Sequence, residues 1–142
     1  MKTIFITGAT SGIGKATAIL LAKQKNRIIL CGRNKSVLEE LKSDLSKETE
    51  VFTLCFDVRN SDEVFDAINS LPEDWKNIDV LINNAGNAHG LDSISEGNID
   101  DWNVMMDGNV KGLLYVSQPI IKLMKEKQNG QIINISLVAA KQ

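Results

Sequence analysis

The stretch TGATSGIGK, residues 7–15, leaves the apolar run TIFIT (3–7) and opens a segment, Gly12 to Ala22, that reads as a helix. A glycine-rich turn at such a place lets a phosphate meet unpaired backbone N–H groups and the positive end of the helix dipole. Its closing Gly-Lys first suggests the loop that cradles nucleotide triphosphates. That loop needs a glycine five residues before the Gly-Lys and a Ser or Thr after it. Ala9 and Ala16 stand there instead. A dinucleotide turn fits better: Gly8 makes the tight turn, Gly12 lets a pyrophosphate approach the backbone, and Gly14 allows helix and strand to pack closely. The spacing is Gly-x-x-x-Gly-x-Gly. Thr10, Ser11 and Ile13 join the three glycines as candidate cofactor contacts.

The next apolar run, RIILC (27–31), ends in Gly32-Arg33-Asn34. A site for NAD usually places an acid at this strand end, to accept from the ribose 2′-hydroxyl. No acid is present, and the guanidinium of Arg33 matches a 2′-phosphate by charge and by its fork of donors. NADP(H) is the expected cofactor, preferred over NAD(H), with Arg33 and Asn34 beside its 2′-phosphate.

Outward from these two strands the alternation continues. A polar-amphipathic segment (35–47) leads to VFTLCF (51–56), and a helix opens at Ser61. IDVLIN (78–83) is a fourth strand. A long helical stretch from about Ile99 to Lys127, with a break expected at Gly108, precedes GQIINIS (130–136) as a fifth. Strands alternating with helices imply βαβ units and a parallel sheet covered on both faces, and the nearly continuous apolar strands agree. Right-handed crossovers then favour a doubly wound α/β sheet in one domain, residues 1–142.

A chain of 142 residues with formal charge −2 has no basic footprint for nucleic acid or an anionic membrane. No apolar run approaches the ~18 residues of a membrane span. The start lacks the apolar region of a signal peptide, which implies a cytoplasmic protein. Cys31 and Cys55 both lie in apolar runs and are expected to be buried free thiols rather than a disulfide or metal pair. No metal site is expected.

Several motifs together resemble the classical short-chain dehydrogenases/reductases. Thr7-Gly8-Ala9-Thr10-Ser11-Gly12-Ile13-Gly14 is similar to the family's cofactor signature. Asp57-Val58 resembles the pair that contacts the adenine, and Asn83-Asn84-Ala85-Gly86 the signature that stabilises the sheet after the fourth strand. Asn109 sits where the family keeps a catalytic asparagine. The resemblance implies a Rossmann-like sheet in the order 3-2-1-4-5, shorter than the family's seven-stranded sheet. Residues 70–86 and 100–118 further resemble a bacterial NADP-dependent subgroup acting on small 3-hydroxy acids such as serine, allo-threonine and 3-hydroxypropionate.

In that family a tyrosine transfers the proton, a lysine four residues later lowers its pKa, and a serine after the fifth strand binds the substrate oxygen. The only tyrosine here, Tyr115, is followed four residues later by Pro119, which favours a core or interface role. The family's Tyr-x-x-x-Lys falls roughly a dozen residues beyond the fifth strand, past the last residue given. Aligned on Ile133-Asn134-Ile135, the serine position holds Leu137, leaving its neighbour Ser136 as a weaker substitute because adjacent strand residues face opposite ways. His89, the only histidine, is expected at the surface. Two identities follow: an NADP(H)-dependent oxidoreductase of small hydroxy or keto substrates, given as an N-terminal portion and inactive alone, or a non-catalytic NADP(H)-binding module. Leu113, Leu114, Val116 and Ile120 are expected to lack cover on one side, so that residues 99–127 could form a homo-oligomer interface.

Overall fold

The computed structural model describes residues 1–85 and 96–135. β1 (Thr3–Ile6) is buried along its whole length, as a run of β-branched and aromatic residues between two parallel neighbours should be. It pairs with β2 (Arg27–Gly32) on one side, Thr3 opposite Arg27 and Ile6 opposite Leu30. On the other side it pairs with β4 (Val80–Asn83), Ile4 opposite Val80. β3 (Val51–Cys55) extends the sheet beyond β2, and β5 (Gln131–Asn134) beyond β4. All neighbours are parallel and the order is β3-β2-β1-β4-β5. The sheet is the expected doubly wound α/β sheet.

Strand alternation sorts the apolar residues into two layers. Ile4, Ile6, Ile28, Leu30, Val80 and Ile82 face one way and pack on α1 (Gly12–Lys23) and α2 (Lys35–Leu45). Phe5, Ile29, Cys31 and Leu81 face the other way. There they meet α3 (Ser61–Asn69) through Val64 and Ile68, and α5 (Gly112–Lys127) through Val116, Ile120 and Met124.

The long stretch before β5 is broken where a break was expected. α4 (Ile99–Met106) passes into a π-type turn, Asp107–Lys111, which contains the buried Gly108 and leads directly into α5. A Cβ on Gly112 would press on the Val58 side chain, so the small residue lets this helix lie close to the end of β3.

Two expectations need correction. Val116 and Ile120 are fully covered, because α5 lays that face on the sheet, while Leu114 points away and is 57% exposed. β5 is the sheet's edge, as the expected strand order places it, and Ile132 and Ile133 stay partly open to solvent. Cys55 is exposed, since it lies at the end of the opposite edge strand, where its thiol donates to the Arg33 carbonyl at 3.4 Å; only Cys31 is buried, and both are free thiols.

At the amino ends of the strands, Asp79 joins three elements. Its carboxylate accepts from the Thr3 backbone at 2.9 Å and from Lys127 Nζ at 2.7 Å, and its carbonyl accepts from the Gln131 N–H at 2.9 Å. Thus β1, α5 and β5 share one anchor.

Candidate functional site: the cleft at the carboxyl ends of β1 to β4

Because β1 sends its chain to β2 on one side and has β4 on the other, a crevice opens at its carboxyl end. Such a reversal of strand order is where open α/β sheets bind ligands. The glycine turn lies there. Gly8 and Gly12 have φ of +62° and +58°, left-handed conformations that side chains disfavour. The space beside Gly12 is open, with nothing within 4 Å of where a Cβ would sit. Gly14 is the opposite case: a Cβ there would collide with the Gly8 carbonyl and the Asn84 amide. One glycine keeps a face open and the other lets helix and turn touch, as their positions in the motif imply.

The turn is fixed from both sides. Thr7 Oγ1 accepts from the backbone N–H groups of Asn84 and Ala85, each at 2.9 Å, and Asn84 Nδ2 donates to the Gly8 carbonyl at 3.1 Å. Towards β2, the Ala9 N–H donates to the Cys31 carbonyl at 3.0 Å, and the Thr10 methyl lies over Gly32 where a Cβ would otherwise stand. α1 starts at this turn without a side-chain cap from Ser11. By contrast, α2, α3 and α4 each start on an asparagine, Asn34, Asn60 and Asn98, whose side chain accepts a backbone N–H. The first N–H groups of α1 are left to an outside acceptor.

A cleft of about 450 Å³ runs over the turn and across to the ends of β2 and β3. It gathers many of the residues singled out in the sequence: Gly8, Thr10, Ser11, Gly12 and Ile13 from the turn, Arg33 from β2, Asp57 and Val58 from β3, Asn84 and Ala85 from β4. Asn34 does not line it. Its side chain caps α2 by accepting from the Val37 N–H at 3.2 Å and from Ser36 Oγ at 2.8 Å. Asn83 is buried behind the cleft, donating to Ser117 Oγ at 3.0 Å and to Asn134 Oδ1 at 2.9 Å, so it ties β4 to α5 and β5. Gly14 lies beneath the turn. Asn109 falls within the π-type turn, next to Gly108, which does line the cleft. Gly86, His89, Ser136 and Leu137 lie outside the described residues.

Sequence reasoning passed over Arg59. It lines the cleft with Arg33 and grips the Asp57 carboxylate, Nη2 to Oδ2 at 2.7 Å and Nε to Oδ1 at 3.0 Å, while its own N–H donates to Oδ1 at 3.0 Å. The Arg59 hydrogen bond, outweighing partial burial, holds the Asp57 carboxyl below its ordinary pKa, and the charge of Arg33 adds to this. The available signal was an arginine two residues past Asp57, at a strand end already assigned to the site. Phe56 and Val104 also reach the cleft; both read in sequence only as apolar positions. Tyr115 is half-buried and meets Phe65 edge-on, ring centroids 6.4 Å apart, as a packing role predicts. Among the described residues no cluster of three His, Cys, Asp or Glu side chains could hold a metal ion.

Comparison with known proteins adds independent information. The sequence profile of the short chain dehydrogenase family matches residues 2–142. The NADP-dependent 3-hydroxy acid dehydrogenase YdfG of Escherichia coli K12 is 38% identical over 136 residues, which cover 96% of this chain and 54% of that protein. An NADP-dependent 3-hydroxy acid dehydrogenase of Schizosaccharomyces pombe is 40% identical over 144 residues, 99% of this chain and 56% of that one. A solved structure of the closed form of serine dehydrogenase complexed with NADP+ superposes with a TM-score of 0.88 at 37% identity, covering 96% of this chain and 54% of that one. The chain thus spans about half the length of the curated relatives it matches. With the glycine turn, the strand order and the family profile in agreement, the chain belongs to the short chain dehydrogenase family.

Proposed function

We propose that the cleft binds NADP(H), and that residues 1–142 form one dinucleotide-binding domain of an NADP(H)-dependent oxidoreductase for small hydroxy or keto substrates, 3-hydroxy acids among them. The observation that carries this is the pairing of two features in one cleft: the open left-handed backbone at Gly12 and the arginine, with no acid, at the end of β2.

The residues fit such a cofactor. A pyrophosphate at Gly12 takes the uncapped N–H groups of α1 around Ser11 and Ile13, with Gly8, Thr10 and Gly14 shaping the turn. Arg33 takes the 2′-phosphate, with Asn34 setting the start of α2 behind it. Asp57 and Val58 would hold the adenine, and Asn84 and Ala85, with the sequence's Gly86 beyond the described residues, are assigned to the cofactor as well. Asn83 holds the sheet beneath it. When bound, the nicotinamide gives or takes the hydride. Asn109 and, by a local shift, Ser136 are the residues of this sequence assigned to the reacting end. The relatives named as 3-hydroxy acid dehydrogenases support the substrate class.

A polypeptide of these 142 residues contains no Tyr-x-x-x-Lys, since Pro119 stands four residues after its only tyrosine. Alone it binds the cofactor without turning substrate over. A cytoplasmic setting belongs to this reading; its support is the pair of free thiols, and no helix among the described residues is long and apolar enough to cross a membrane. The exposed apolar residues Ile99, Met106, Val110 and Leu114 line residues 99–127 at helical spacing and support self-association through that face.

Calorimetric titration of the purified polypeptide with NADPH and NADH tests the proposal. Tighter binding of NADPH by about tenfold or more is expected from one charge-assisted contact. Equal affinities, or no binding of either, contradict it.

A further inference from the structure

We propose that Arg59 is a specificity-determining residue of the cleft: by engaging the Asp57 carboxylate it keeps Arg33 available to a 2′-phosphate and prevents that phosphate from being repelled. This rests on the NADP(H) reading above and goes beyond it.

The strand register brings the three groups together. Gly32 stands opposite Cys55, and the Phe56 N–H donates to the Gly32 carbonyl at 3.0 Å. Arg33 and Asp57, one and two residues further on, therefore leave adjacent strand ends into the same cleft. An acid in that place is a hazard for a phosphate site. It competes for the guanidinium that is to hold the phosphate, and it repels a dianion bound beside it. Arg59 removes both effects. Its Nε lies 3.0 Å and 3.2 Å from the two oxygens of Asp57, and Nη2 2.7 Å from one of them. Among the described residues no ion pair or side-chain hydrogen bond engages the Arg33 guanidinium. The net charge of the trio is +1 rather than 0. The stem of Arg59 also passes near Gly108, and the charge of Asp107 acts on it.

The test reads the ratio of NADH to NADPH dissociation constants, which cancels any effect common to both cofactors. Arg59→Gln, which keeps a hydrogen-bonding stem and removes the charge, is expected to lower that ratio about 3- to 10-fold, more at low salt than at high. Arg59→Lys retains most of it. Adding Asp57→Asn to Arg59→Gln restores the ratio, whatever the change removes from adenine binding in both cofactors alike. A ratio unchanged in Arg59→Gln, or lowered and not restored in the double variant, overturns the proposal while leaving NADP(H) binding intact. A wild-type ratio near one instead overturns the NADP(H) reading and this inference with it.

Discussion

The Asn84 side chain donates to the Gly8 carbonyl at 3.1 Å, so the turn that follows β1 is shaped by a residue of the loop after β4. Gly14 packs against both partners. Gly14→Ala is expected to lower stability by about 1–3 kcal/mol, the usual range for overpacking, and to weaken NADPH binding by displacing the turn. Gly12→Ala meets no neighbour and suffers only the left-handed φ, roughly 1–2 kcal/mol. Gly12 lines the cleft, so the added methyl should lower NADPH affinity by much more than it lowers stability. Urea melts beside NADPH titrations separate the two variants.

Asn83 predicts a different kind of damage. Its amide is buried and serves Ser117 and Asn134 together. Asn83→Ala leaves the Ser117 hydroxyl without that partner and unties the edge strand, at about 1–3 kcal/mol. Hydrogen exchange should show the loss concentrated in β5, with β1 and β2 protected as before. Uniform acceleration across the sheet would contradict this.

The Asp79 anchor gives the protein an acid-sensitive contribution. Burial pushes this carboxyl up, but the hydrogen bonds from Lys127 and the Thr3 N–H, with the charges of Lys127 and Lys2, bring it below its ordinary value. A carboxyl lowered in the folded state stabilises fully above its unfolded pKa of about 4, and that stabilisation is lost as pH falls through the lowered value. Asp79→Asn should therefore be less stable than wild type at neutral pH, and the two stability curves should converge in acid. Curves that stay parallel down to the acid limb would show that the pair contributes nothing.

Self-association is the expectation most open to a simple test. Leu114 is 57% exposed on the face that α5 turns away from the sheet. Leu114→Glu should shift sedimentation velocity towards the monomer with little change in the melting curve. An unchanged distribution of species places the contact elsewhere.

The sheet was legible because buried parallel strands are apolar without interruption, and the interruption of the long helical stretch carries Gly108. The glycine turn was legible residue by residue: Gly8, Gly12 and Gly14 each do a separate task that only a missing Cβ permits. What sequence could not show was pairing in space. The cover on Val116 and Ile120 depends on which element packs opposite, whereas the Asn34 cap and the Arg59–Asp57 pair are local, three and two residues apart, and lay within reach of sequence reasoning. The edge position of β5 was already contained in the order 3-2-1-4-5 that the family resemblance implied. Its apolar run, Ile132-Ile133, looks like that of a buried strand, and only the strand order makes it an edge.

The most direct test of the central claim is calorimetric titration of wild type and Arg33→Ala with NADPH, with NADH as the control. The cleft geometry predicts that the substitution weakens NADPH about 10- to 100-fold, the range for one charge-assisted contact, and leaves NADH nearly unchanged. Equal losses for both cofactors, or no loss for NADPH, would show that Arg33 does not hold a 2′-phosphate.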